Sequence, residues 1–161
     1  MRIRYFSAVL FIFPVLLLGQ FSGSLRGPSL GFVFDSSDRT LHPILGITGS
    51  ATVGPALDPG FLLINAISLA DDHTILAVPE SGESLLTIDF AAAPPVMRQI
   101  DRAAKTTEVV LSSNGNTAAL IYRASSLLRV LTGLPHNPVI AREITLPSGD
   151  TPFQHAAVND A

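Results

Sequence analysis

The stretch Ile67-Ser68-Leu69-Ala70-Asp71-Asp72-His73-Thr74-Ile75-Leu76-Ala77-Val78 decides the fold. It reads as a short apolar strand, a tight polar turn and a second apolar strand. About 42 residues later comes Val109-Val110-Leu111, then Ser112-Ser113-Asn114-Gly115, then Thr117-Ala118-Ala119-Leu120-Ile121-Tyr122. Asn-Gly is the strongest short hairpin signal, because both residues tolerate the positive φ of a type I′ turn. Asp71-Asp72 is a weaker version of the same turn.

Each hairpin continues in the same way. Pro79-Glu80-Ser81-Gly82-Glu83 turns into Ser84-Leu85-Leu86-Thr87-Ile88-Asp89-Phe90, where Leu86, Ile88 and Phe90 share one face by alternation. Arg123-Ala124-Ser125-Ser126 turns into Leu127-Leu128-Arg129-Val130-Leu131, with Leu128 and Val130 in step. A proline-containing loop follows in both units, at 91–95 and 132–138, and a fourth apolar segment closes each, at 96–100 and 139–146. Four strands per unit at this period predict propeller blades. Upstream, Gly31-Phe32-Val33-Phe34-Asp35 and residues 40–45 read as the last two strands of a preceding blade, with Phe34-Asp35 in the place of Ile88-Asp89. Residues 46–60, with four glycines, read as a long inter-blade loop. Downstream, Ala156-Ala157-Val158-Asn159-Asp160 reads as the first strand and turn of a third unit.

The pattern resembles the WD-repeat-like and lactonase-like propellers of exported bacterial proteins. The resemblance rests on Ser112-Ser113-Asn114-Gly115, Leu76-Ala77-Val78 and Ile88-Asp89, and it spans residues 30–161. It implies an all-β fold: a partial, open β-propeller of about two to three four-stranded blades after an N-terminal hydrophobic helix. Membership of the strict WD family is unsupported, because the chain has no tryptophan. The alternative is a β-sandwich, which seven or eight short strands would also suit. Propellers close with roughly four to eight blades, so the expectation is an N-terminal part of a longer protein or a truncated reading frame. Self-assembly of fragments into one ring is the other reading.

The N-terminus carries a separate signal. Arg2 and Arg4 precede an apolar run from Tyr5 to Gly19, followed by small and polar residues. The run falls short of the ~20 residues that a membrane-spanning helix needs and matches the basic and apolar regions of a secretory signal. Residues 1–24 are therefore read as a signal peptide or signal anchor and residues 30–161 as the repeat domain. The expected location is exported, periplasmic or extracellular; a membrane-anchored chain, held by the N-terminal segment alone, is the alternative.

Composition excludes several functions. A net charge of −3 offers no basic field for nucleic acid. The absence of cysteine removes disulfides, thiolate chemistry and Cys-based zinc sites together. Nine Phe and two Tyr, several of them in the leader, argue against a stacking platform for sugars or single strands.

Candidate chemistry is sparse. His42, His73, His136 and His155 stand apart in sequence, with no His-x-His pair. His73 beside Asp71-Asp72 is the best local cluster, and it reads as a turn bonded to its own backbone rather than a metal site. Ser50 and Ser81 are not in a G-x-S-x-G elbow. The glycines Gly46, Gly49, Gly54 and Gly60 follow no dinucleotide fingerprint. Glu80 and Glu83 flank a turn as solvated carboxylates. Arg98, Arg102 and Lys105 cluster around Asp101 between two units and read as a solvated connection, with a ligand-facing patch as the alternative. No catalytic, cofactor-binding or metal residue is assigned, and no cofactor is implied. The expected function is an exported, non-enzymatic repeat scaffold that contacts an unidentified protein or small ligand through its loops. The alternative is a fragment of a lactonase- or hydrolase-like propeller enzyme.

Overall fold

The computed structural model describes residues 27–81, 84–101, 108–145 and 157–159. The leader at 1–24, its expected hydrophobic helix, Glu83, Arg102, Lys105 and His155 lie outside the described residues. The strands are β1 (Ser29–Asp35), β2 (Thr40–Ile47), β3 (Ser50–Val53), β4 (Leu63–Ser68), β5 (Thr74–Pro79), β6 (Leu85–Asp89), β7 (Val96–Asp101), β8 (Glu108–Leu111), β9 (Thr117–Tyr122), β10 (Leu127–Thr132) and β11 (Val139–Thr145). The one helical element among the described residues is a 3₁₀ turn, Arg123–Ser125.

These strands form three antiparallel sheets, each an up-and-down meander: β1-β2-β3, β4-β5-β6-β7 and β8-β9-β10-β11. The sheets are open, and the protein is all-β among the described residues. Two apolar layers join them. Phe32, Leu41 and Leu57 of the first sheet pack on Leu63, Ile75, Ala77, Ile88 and Phe90 of the second. Leu69, Leu76, Val78 and Leu85 of the second pack on Ala118, Leu120, Tyr122, Leu131 and Leu134 of the third. β5 therefore sits at the centre and is buried at every position. Its unbroken apolar run Ile75-Leu76-Ala77-Val78 follows from that placement: successive side chains point to opposite faces, and here both faces are covered.

The second and third sheets are built alike and face the same way. The Leu69 N–H donates to the Thr74 carbonyl at 2.9 Å, and the Ser112 N–H donates to the Thr117 carbonyl at 2.9 Å. Leu69 thus corresponds to Ser112, not to Leu111, so the true register is one residue longer than the sequence match. The single residue matters, because a slip of one reverses every side chain. Leu86 and Ile88 correspond to Arg129 and Leu131, not to Leu128 and Val130. Ile75, Ala77 and Ile88 face the preceding sheet, as Ala118, Leu120 and Leu131 do. Leu128 and Val130 point the other way, beside Ile121 and Ala119.

Two further expectations change. The segment at 46–60 is not simply a loop, because β3 lies within it and pairs with β2 from Ile44↔Val53 to Ile47↔Ser50. Gly49 takes φ 89°, and Gly46 takes φ 123° where a side chain would stand 2.4 Å from the Ser50 carbonyl oxygen. These glycines make a hairpin rather than slack. Nor does β1 take the place of the third strand. Ser68, ending β4, lies against Gly31 and Phe32 early in β1, while Arg39 after β1 reaches Glu80 after β5. β1 therefore runs in the direction of β5, not of β6. Phe32 and Phe34 face the second sheet, whereas Ile88 faces the first. Residues 157–159, the described part of the expected third unit, carry no strand.

Candidate functional site

The turns joining β4 to β5 and β6 to β7, with the loop joining β10 to β11, lie at one end of the second and third sheets. Between them is a cleft of about 140 Å³ lined by Asp71, His73, Thr87, Asp89, Arg98 and His136, among others. It straddles the junction of the two sheets: His136 belongs to the third, and the rest of these residues to the second.

Local structure fixes each side chain. The Asp71 carboxylate accepts from the Thr74 N–H at 2.9 Å and from the Thr74 hydroxyl, closing the turn. Asp72 then takes φ 60°, a left-handed conformation that short polar side chains tolerate. His73 follows, with Nε2 3.2 Å from Asp71 Oδ2 and 4.0 Å from Asp89 Oδ1. Asp89 itself accepts from the Ala91 N–H at 2.8 Å. Across the cleft, the Arg98 Nη1 donates to the His136 carbonyl at 3.3 Å, tying β7 to the loop of the next sheet.

The chemistry available is limited. The Thr74 hydroxyl donates to Asp71 rather than to His73, so it forms no nucleophile–base pair with the imidazole. Among the described residues, no group of three or more His, Asp or Glu is arranged to hold a metal ion. What the cleft offers is two histidines, a guanidinium and two carboxylates around a polar space, suited to contacting a polar group. The turn reading of Asp71 is visible in its bonds, and the position of Asp89 and Arg98 beside His73 was not legible from local spacing.

The other singled-out residues are spread apart. His42 lies on the first sheet's outer face; its Nδ1 is 3.0 Å from the Gly54 carbonyl and its Nε2 3.0 Å from Thr40 Oγ1. The carbonyl only accepts, so Nδ1 carries the proton and His42 fastens the chain after β3. Ser50 begins β3 and is exposed, and Ser81 lies in the turn after β5. Glu80 pairs with Arg39. Asp101 is not in a solvated connection: Arg129 pairs with it from the third sheet, and the Tyr122 hydroxyl donates to it at 3.4 Å. Arg129 also donates to Glu143 at 2.7 Å and lies 5.4 Å over the Tyr122 ring. These contacts hold the guanidinium pKa above its ordinary value, the Glu143 bond contributing most.

Among the described residues, no helix is long and apolar enough to cross a membrane. Comparison of the chain with protein-family models and with curated proteins finds no match.

Proposed function

We propose that the protein is an exported, non-enzymatic scaffold of propeller-like repeats that contacts a protein or small ligand through the loops at the His73 end. The observation that carries this reading is the equivalence of the second and third sheets: each has four strands in the same order, and each turns the corresponding face toward its predecessor. Repeats stacked in this manner are rigid where they pack and variable at their loops. The cleft supports the same view, because its groups come from two sheets and its best carboxylate is committed to a turn.

Localisation is tested by fractionating cells that express the chain and weighing the exported product. Export with loss of a leader near residue 24 supports the reading; a product confined to the cytosol counts against it. A second reading, a hydrolase-like fragment, draws on His73 lying between Asp71 and Asp89. Turnover of lactones or esters in the presence of divalent metal, abolished by His73→Ala, would establish that reading and displace the scaffold.

A further inference from the structure

The face that the second sheet turns toward the third changes character along its length. Directly opposed residues of neighbouring strands share a face, so Leu76, Thr87 and Arg98 stand side by side on it. Thr74 and Asp89, each two residues along its strand, lie on the same face. At one end Leu76, Val78 and Leu85 pack on the third sheet. At the other, Thr87, Asp89 and Arg98 line the cleft of about 140 Å³ that the His136 loop borders. Three polar groups there are not used up by the fold. Thr87 is only 4% exposed, yet its hydroxyl has no hydrogen-bond partner among the described residues. A buried hydroxyl left unpaired is costly. Arg98 donates to the His136 carbonyl at 3.3 Å and pairs with no carboxylate among the described residues. Asp89 accepts from the Ala91 N–H through Oδ1, which leaves its second oxygen to the cleft. Asp71, by contrast, is committed to Thr74.

We propose that this cleft binds a small free α-amino acid as its zwitterion, with the carboxylate on Arg98 and the Thr87 hydroxyl and the ammonium on Asp89. The proposal rests on the reading of the His73 end as the contact surface. Arg98 and Asp89 line one cleft without pairing with each other, so a ligand carrying both charges satisfies each and adds no net charge. The guanidinium fork matches a carboxylate in shape as well as in sign. The Thr87 hydroxyl gains the partner that the fold does not give it. The cleft has roughly the volume share of four or five liquid waters, which suits an amino acid of the size of glycine or alanine.

Full-length ¹⁵N-labelled protein is titrated with L-alanine and followed by amide NMR. Saturable shifts are expected at Thr87, Asp89, Arg98 and the His136 loop. Sodium acetate and methylammonium chloride carry one charge each and should bind about tenfold or more weakly, the loss for a missing hydrogen bond to a charged group. Arg98→Gln should raise the Kd for L-alanine by a similar factor with the rest of the spectrum unchanged. Thr87→Val should weaken binding and leave the urea midpoint of the free protein unchanged or higher, because valine puts an apolar group where an unpaired hydroxyl stood. No saturable shift with L-alanine, acetate binding as tightly as L-alanine, or binding undiminished in Arg98→Gln would each overturn the proposal. A lower midpoint for Thr87→Val would show that the hydroxyl is already partnered, with the same consequence. The underlying reading fails separately. Saturable shifts confined to another part of the sheets would remove the His73 end as the contact surface, whereas no shift anywhere overturns the amino acid alone and leaves a protein partner at those loops.

Discussion

Gly115 lies against Ala70 where turns of the second and third sheets meet. It takes φ 72°, and a side chain there would begin 2.8 Å from the Ala70 Cβ. Asn114 does not share the positive φ, so the turn is a type I turn with one left-handed residue after it, not the type I′ turn that Asn-Gly suggests. Gly115→Val is expected to cost more than the ~1–2 kcal/mol of a left-handed penalty alone, because the added atoms also push against Ala70; urea unfolding measures it. Asp35 offers a subtler readout. The Ser37 N–H, then that of Asp38, hold its carboxyl below the ordinary carboxylate range. A depressed folded pKa contributes stability that is present above the unfolded pKa and lost as pH falls through the folded one. The side chain is fully exposed, so the effect on stability is small, and carbon-detected NMR titration should place Asp35 below the value it has in the unfolded chain.

Strands were the most legible element, because alternation and turn residues are local signals. β5, β6, β9 and β10 stand within a residue or two of the stretches read from Thr74-Ile75-Leu76 and its counterparts. β3 was illegible, since Ser50-Ala51-Thr52-Val53 is short, exposed and framed by glycines that equally suit a loop. The correspondence between units slipped by one residue because Asp71-Asp72-His73 and Ser113-Asn114-Gly115 look alike, yet only backbone bonding shows which residue follows the turn. The junctions between sheets were also out of reach: Asp101 and Arg129 lie on different sheets, and no spacing announces the pair. Their contact is partly buried, with exposures of 14% and 23%. A double-mutant cycle of Asp101→Asn and Arg129→Leu should give a coupling of roughly 0.5–3 kcal/mol, the range for residues in one network. Coupling near zero would remove the pair from the junction. Within β5, Leu76→Ala should destabilise by about 2–5 kcal/mol, the usual cost of emptying a packed leucine site, and the loss should appear as a lower denaturation midpoint.

Over the described residues as a whole, the arrangement is a succession of three sheets with one core layer at each of the two junctions. The middle sheet contributes to both layers, so it should be the last region to exchange its amide protons. The cleft at the His73 end depends on this succession, since Arg98 and His136 meet only when the second and third sheets pack in that sense. The candidate site was legible only in its turn residues for the same reason: Asp71 and His73 are neighbours in sequence, while His136 arrives from the next sheet. β5 divides its side chains between two core layers. Methyl NOE spectroscopy of the Ile, Leu and Val groups tests it most directly. Leu76 and Val78 should show contacts to Leu120 and Leu131, and Ile75 should show contacts to Phe32 and Leu41. Contacts from Ile75 to Leu120, or from Leu76 to Phe32, would place both partner sheets differently and contradict the stacked arrangement.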